Sequence, residues 1–339
     1  MPKYDFTYKP DKTPMQEKTA IVLNTPFAQD VRKGLTDYPK HLSSKYFYDE
    51  VGDKLFQDIM AMPEYYLTDC ELTIFKTYKE DISGFFQGQG DAFSIFELGA
   101  GDGKKTKILL KELIVKNVDF DYRPIDISQN ALQLLKASIE REIPEVAIKP
   151  LQGTYFDTLA DIARHNGKRK VILFLGSNIG NLLHPQAVEF LKNIRTILNE
   201  EDLVFIGFDQ KKHPQKILDA YNDQAGITEA FNKNVLARIN KELGGNFDLD
   251  NFLHWEVYDP ETGTAKSYLV ARKAQRVSIK TLDLTVDFKQ WETIHTEISQ
   301  KYDDEIIKWL ADKAGLEITA HFSDPKDHYR DYIFKRKTP

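Results

Sequence analysis

The feature that most constrains this chain is an alternation of strand-like and helix-like segments that begins near residue 93, with a glycine turn after its first strand. "AFSIFEL" (92–98) is a short apolar strand; "GAGDG" (99–103) follows, then a helix-like "KTKILLKELIVK". The spacing predicts further strands over 120–128, 147–155, 170–177 and 202–209, with helices between them, one of them capped by Ser128. The fourth, "KVILFLGS", is apolar throughout, as a central strand covered on both faces must be. Strands that alternate with helices pair in parallel and carry helices on both faces. The expected fold is therefore α/β.

Glycine at 99, 101 and 103 lets the backbone turn off the strand and approach a ligand with no Cβ in the way. The helix that follows favours negative charge at its start. Glu97 and Asp126 fall at the carboxyl ends of the first two strands, the rim where open α/β sheets bind ligands. A carboxylate after the second strand suits a ribose diol. Position 104 is lysine, where a dinucleotide fingerprint wants its third glycine. The chain closes on a strand–turn–strand, "LEITAHFSD" and "YRDYIFKR". Turn and hairpin together resemble the Rossmann-like class I sheet of S-adenosylmethionine-dependent methyltransferases, mostly parallel with an antiparallel C-terminal edge hairpin. They fit a hydride-transfer fold less well.

After Asp209 the alternation stops. One long helical stretch (214–243) is expected, then antiparallel strands in "TAKSYLVARKAQRVSIK" and "LTVDF", then a helix "DDEIIKWLADKAG" with Gly315 beyond its end. This divides the chain into a core of 69–209 plus 302–339 and an α+β substrate-binding lobe of 1–68 plus 210–301.

Acidic residues outnumber basic ones, 52 to 46. No basic surplus is available to displace counterions, so no nucleic-acid partner is expected. The single cysteine, Cys70, cannot form an internal disulfide and reads as a small buried hydrophobe. The histidines form no i, i+4 pair, so no metal is expected. Residues 1–25 read as a loose polar arm without an apolar signal core, and no run is long enough to span a bilayer. The expectation is a cytoplasmic monomer, without a membrane partner, acting on a small molecule.

Five segments together are more specific: "YFYDEVGDKLFQDIMAMPEYYLT" (46–68), "FELGAGDGKKT" (96–106), "FLGSNIGNL" (174–182), "DAYNDQAGITEAFNKNVL" (219–236) and "TEISQKY" (296–302). In order and spacing they resemble the histidine-specific Nα-methyltransferases of ergothioneine biosynthesis and relatives acting on other aromatic amino acids, over nearly the whole chain. The resemblance implies S-adenosylmethionine as cofactor, held by Tyr48, Gly99, Lys105, Asp126, Thr154 and Tyr155, with Asp126 on the ribose. It implies catalytic roles for Tyr48 and Asn181. It implies that Tyr65, Gly176, Asn181 and Tyr221 hold the substrate's amino and carboxylate groups, that Glu297 and Ser299 read an imidazole, and that Ser267 borders the side-chain pocket. Two positions depart from the family pattern: Thr154-Tyr155 stands where a family example carries Asp-Phe, and Ser267 where it carries Met.

The residues can also be read alone. Glu297 and Ser299 are two apart, so on an extended strand they share a face. One acceptor beside one donor/acceptor matches an imidazole with its two ring nitrogens. The same spacing also serves an ordinary strand face with two polar residues. No residue stands out as the base that takes the substrate's proton. The implied reaction is three methyl transfers to the α-amino group of L-histidine, giving the trimethyl betaine hercynine. The alternatives are tryptophan or a prenylated tryptophan as substrate, a nicotinamide oxidoreductase, and a binding module without catalysis.

Overall fold

The computed structural model describes residues 25–90, 92–165 and 167–337. The expected arm lies outside these residues, save Thr25. Two compact units are present: a larger one of Phe47–Phe231, Trp255–Ser267 and Glu297–Pro339, and a smaller one of Met1–Tyr46, Asn232–His254 and Tyr268–Thr296. These bounds correct the expected partition. Residues 47–68, 210–231, 255–267 and 297–301, assigned above to the lobe, belong to the larger unit. Every candidate site residue therefore lies in one unit.

The larger unit is built on a sheet whose strands are β1 (Phe93–Leu98), β2 (Phe120–Asp126), β3 (Ala147–Ile148), β4 (Leu151–Gln152), β5 (Arg169–Phe174), β6 (Leu203–Asp209), and the late strands β12 (Leu316–Ser323) and β13 (Tyr329–Arg336). Their order is β12-β13-β6-β5-β1-β2-β3, with β4 also on β2. The first six strands pair in parallel; β13 runs antiparallel to β6 and β12 antiparallel to β13. This is the class I methyltransferase sheet. The third expected strand, 147–155, is only two two-residue pieces, because Thr154 caps a helix that starts at Tyr155.

Alternation along the central strands feeds two cores. Ile95, Val171, Leu173, Leu203 and Phe205 face one. Phe96, Ile172, Phe174, Val204 and Ile206 face the other. The first core is covered by α3 (Tyr66–Gln87), α4 (Thr106–Val115) and α5 (Gln129–Glu142); the second by α6 (Tyr155–Arg164), α7 (His184–Ile197) and α10 (Asp304–Ala314). Two-sided burial is why the middles of these strands are apolar on both faces. Ser128 caps α5 through the Ala131 N–H at 3.1 Å, and Gly315 ends α10 at φ 69, both as expected.

The expected helix over 214–243 is two: α8 (Pro214–Tyr221) and α9 (Ile227–Leu243). Asp223 causes the break. Its carboxylate takes the Ile227 and Thr228 N–H groups, at 2.9 and 2.8 Å, and Gly226 turns the chain at φ 74. The strands β7 (Phe252–Asp259), β8 (Thr264–Ala271) and β11 (Thr293–Gln300) form a sheet in the order β11-β8-β7, and the boundary between units falls within each. In the smaller unit, α1 (Pro26–Thr36) is capped by Thr25, and β9 (Gln275–Ile279) pairs antiparallel with β10 (Leu284–Phe288). Phe247, Phe252 and Phe288 pack there with ring centroids 5.5 to 6.2 Å apart.

The ion pair of Lys170 and Asp202 in the larger unit is buried. Lys170 Nζ lies 2.9 Å from Asp202 Oδ2, both about 1% exposed, while Asp202 also accepts the backbone N–H groups of Lys170 and Asn199. Removing the cation strands a buried carboxylate. Lys170→Met should lower unfolding stability by about 3–5 kcal/mol, read as a drop in the urea midpoint; a drop under about 1 kcal/mol would show the charge to be solvated.

Candidate active site

The sheet reverses its direction of growth at β1: β2 lies on one side, β5 on the other. Ligands bind at the carboxyl ends of the strands flanking such a point. The candidate residues leave those ends. Gly99 to Gly103 follow β1, Asp126 ends β2, Gly176 to Asn181 follow β5, and Asp209 ends β6.

The turn after β1 needs glycine. Gly99, Gly101 and Gly103 have φ of 73, 54 and 64. A Cβ at Gly99 would lie 2.6 Å from Asn178 Nδ2 and 2.9 Å from the Tyr155 hydroxyl, whereas one at Gly101 would meet nothing within 4 Å. Asp126 accepts Gly101 N–H at 3.0 Å and Ser128 N–H at 2.9 Å, one on each oxygen. Burial pushes its carboxyl up, partly offset by these bonds. A glycine cradle, a carboxylate oriented by backbone and a tyrosine at the turn fit the nucleoside half of S-adenosylmethionine. Thr154 is a helix cap: its hydroxyl donates to Asp157 Oδ2 at 2.6 Å and accepts Asp157 N–H at 3.3 Å. For an adenine it retains a lone pair and no proton.

Glu97 does not serve the rim. It is buried and accepts from Thr106 at 2.7 Å and from the Tyr122 hydroxyl, and burial pushes it up to about 7. The acid that organises this region is Glu71 on α3, which carried no signal in the sequence. It is fully buried, accepts Gly176 N–H on both oxygens at 3.0 Å and Tyr329 hydroxyl at 3.0 Å, and pairs with Lys105. Burial and Glu71 push the carboxyl of the adjacent Asp331 well above the usual range. Burial would lower Lys105; Glu71 outweighs it and the net direction is up. The ammonium is thus fixed as a cation beside Gly176, where a Cβ would sit 3.4 Å from Nζ.

The tyrosines expected at the substrate come together. Tyr48 packs edge-on against Phe56 at 5.6 Å, Phe56 against Tyr65 at 6.3 Å, and Tyr65 against Tyr221 at 6.4 Å. Phe231 completes the group, 5.4 Å from Tyr48. Burial and then neighbouring charge, that of Glu297 among it, push the hydroxyls of Tyr48, Tyr65 and Tyr221 well above their usual range. Asn181 stands exposed at the end of the turn after β5; Gly180 beside it packs on the backbone of Gln300.

β11 is extended through Glu297 and Ser299, as their spacing requires. Ser299 is buried in a network the sequence did not reveal. Lys301 Nζ lies 2.7 Å from Ser299 Oγ, 2.7 Å from the Tyr221 hydroxyl and 2.8 Å from Asp209 Oδ2, and the two hydroxyls are 2.7 Å apart. Lys301 and Asp209 have no exposure. Lys212 and Tyr66 complete the shell of Asp209, and despite burial the two lysines hold its carboxyl below the usual range. Ser267 is also committed: it is buried and donates to Glu256 Oε2 at 2.6 Å.

Cys70, Asp324 and His328 bring one ligand atom each within 4.8 Å of one another. Asp324 already accepts the backbone N–H groups of Lys326, His328 and Tyr329, so it serves as a turn cap. Among the described residues no helix is long and apolar enough to cross a membrane.

The profile of a family described as histidine-specific methyltransferase, SAM-dependent, matches residues 27–336. A histidine N-alpha-methyltransferase of Mycolicibacterium smegmatis is 38% identical over 88% of this chain and 91% of its own. One of Mycobacterium tuberculosis is 34% identical over 85% of this chain and 91% of its own. The ergothioneine biosynthesis protein 1 of Schizosaccharomyces pombe is 29% identical over 88% of this chain, which spans 39% of that protein. With the glycine cradle and the class I sheet, these likenesses mean that the chain belongs to the histidine-specific, S-adenosylmethionine-dependent methyltransferase family.

Proposed function

We propose that the protein methylates the α-amino nitrogen of L-histidine three times, yielding hercynine for ergothioneine synthesis, as a cytoplasmic monomer. The observation that carries this reading is Glu297, held on extended β11 within the electrostatic reach of Tyr48, Tyr65 and Tyr221. A carboxylate at the end of an otherwise aromatic site suits a side chain with an N–H to give. An apolar ring offers that carboxylate no hydrogen bond.

Bound S-adenosylmethionine supplies an electrophilic methyl group on a positively charged sulfur. Asp126, Gly99, Lys105, Thr154 and Tyr155 would hold it. Tyr48, Tyr65, Asn181, Tyr221 and the Gly176 backbone position the substrate's amine and carboxylate, with Tyr48 and Asn181 nearest the reaction. Fixing both ends of the substrate makes the attack effectively unimolecular. The raised hydroxyls of the tyrosines stay protonated at working pH, so they donate and relay but do not act as phenolate bases; the ammonium proton leaves through water. Successive transfers build a quaternary ammonium, and the tyrosine faces stabilise it by cation–π attraction.

Lys301 sets the polarity of the pair beside it. It has three protons and three acceptors: Asp209, Tyr221 and Ser299. One of the two hydroxyls donates to the other, so the pair keeps a single outward proton. Two groups compete for it: the substrate's carboxylate and the bare nitrogen of a neutral imidazole.

Side-by-side turnover with histidine and tryptophan tests the substrate; faster turnover of tryptophan would move the assignment to the tryptophan alternative. Glu297→Ala should raise the KM for histidine about 10- to 100-fold with S-adenosylhomocysteine binding retained, and unchanged histidine kinetics would remove Glu297 from the site. Lys301→Met should raise the histidine KM at least about tenfold while the S-adenosylhomocysteine Kd stays within about threefold; equal loss of both would make Lys301 a general structural residue.

A further inference from the structure

The two oxygens of Glu256 differ. The residue is 8% exposed. Oε2 accepts the Ser267 hydroxyl at 2.6 Å, while Oε1 is buried with no hydrogen-bond partner among the described residues. A buried polar atom left so is costly, and the few that native proteins retain call for a functional reason. The strand order β11-β8-β7 sets Ser267 on the strand between the one that carries Glu256 and the one that carries Glu297. The electrostatic neighbours of Glu256 are Glu297 and Lys301, and Tyr221 in turn lies within its field. All belong to the cluster assigned above to the substrate.

We infer that Glu256 is a second carboxyl group that reads the substrate's ring, with Oε1 as its point of contact and Ser267 fixing its orientation, an inference that rests on the histidine reading. A neutral imidazole offers one N–H and one bare nitrogen. Glu297 takes the N–H. Tyr221 and Ser299 together keep one outward proton for two acceptors, the substrate's carboxylate and the bare nitrogen, so a second donor is needed. A protonated Glu256 is that donor: Oε2 accepts from Ser267 and the Oε1 hydroxyl donates to the ring. Burial and then the charge of Glu297 push Glu256 up to about 8, against the lowering pull of Ser267 and Lys301, so it keeps a proton at neutral pH. The groups that face it are Ser267 from β8, Glu297 from β11, Lys301 just beyond and Tyr221 from α8. The ring is read as neutral, and no imidazolium is buried.

The test is calorimetric titration of L-histidine into the full chain saturated with S-adenosylhomocysteine, for wild type, Glu256→Ala and Glu256→Gln, from pH 7 to pH 9. At pH 7, Glu256→Ala should bind histidine at least about tenfold more weakly, while Glu256→Gln, whose amide still donates, should stay within about threefold. The proton on Glu256 is present below about 8 and lost above it. The ratio of the wild-type Kd to that of Glu256→Gln should therefore rise about tenfold across the range, since the fraction of binding-competent protein falls by that factor. The substrate's own titration is common to both proteins and cancels. A flat ratio, or Glu256→Gln as weak as Glu256→Ala at pH 7, overturns the inference and leaves the histidine reading standing. Wild type that binds S-adenosylhomocysteine but not histidine overturns both. Should Glu256→Ala fail to bind S-adenosylhomocysteine, the wild-type and Glu256→Gln pH series decides alone.

Discussion

The buried pair of Lys301 and Asp209 is the contact on which the substrate side of the larger unit depends. Asp209 is the last residue of β6, a central strand, and Lys301 follows the last residue of β11. Tyr302 N–H donates to the Asp209 carbonyl at 2.9 Å and Lys301 N–H to that of Gly263 at 2.7 Å, so backbone and side chains bind the same segments together. Two full charges without solvent are costly unless every hydrogen-bonding group is met. Here they are: Lys301 uses three acceptors, and Asp209 receives Lys301, Lys212 and Tyr66. Satisfaction of the pair fixes Tyr221 and Ser299, and this is how a strand end in the core sets hydroxyl positions at the site.

Glu71 does for the turns after β1 and β5 what Asp209 does for β11. One carboxylate on α3 takes the amide of Gly176, from the turn after β5, and the ammonium of Lys105, just past the turn after β1. Those turns flank the switch point of the sheet. The glycine turn therefore rests on a helix that the sequence offers only as an aromatic, amphipathic stretch. Gly99 could not become alanine without displacing Asn178 or Tyr155, so its lack of a side chain serves packing as well as backbone angle.

What was legible in the sequence follows the range of the forces involved. The alternation from β1 to β6, the cap at Ser128 and the stop at Gly315 are local, and local pattern found them. That Glu297 and Ser299 share a face was readable from their spacing, whereas their role came from the family resemblance. The family resemblance named the tyrosines, and gave no sign of the rings that join them, Phe56 and Phe231. Glu71, Asp209, Lys301 and Glu256 were illegible for one reason: each acts through a partner distant in the chain, and a lone acid or lysine in a sequence carries no sign of burial. Glu97 misled for the same reason, since its strand-end position suggested the rim while Tyr122 and Thr106 hold it inside. The helix over 214–243 failed on a side chain, Asp223, that caps the next helix and splits the run.

The carboxyls around the site differ in what surrounds them. Glu71 has Lys105, and the carboxyl of Asp331 beside it is pushed well above the usual range. Asp209 has two lysines. Asp126 has two backbone amides. Asp209, Glu71 and Asp126 are matched inside the protein and so gain little from a ligand's charge; Glu71 and Asp209 fix shape, and Asp126 keeps lone pairs for uncharged hydroxyls. Glu256 stands otherwise: the charge of Glu297 beside it raises the cost of ionising it, with Lys301, already shared three ways, as the cation near it. A buried carboxyl beside a second one gives up its proton less readily, and Glu256 is the buried member. The proposed roles follow from this, Glu256 as donor and Glu297 as acceptor. A ring with one N–H and one bare nitrogen is the complement of that pair, whereas a ring with a single N–H and no acceptor, such as an indole, answers only half of it.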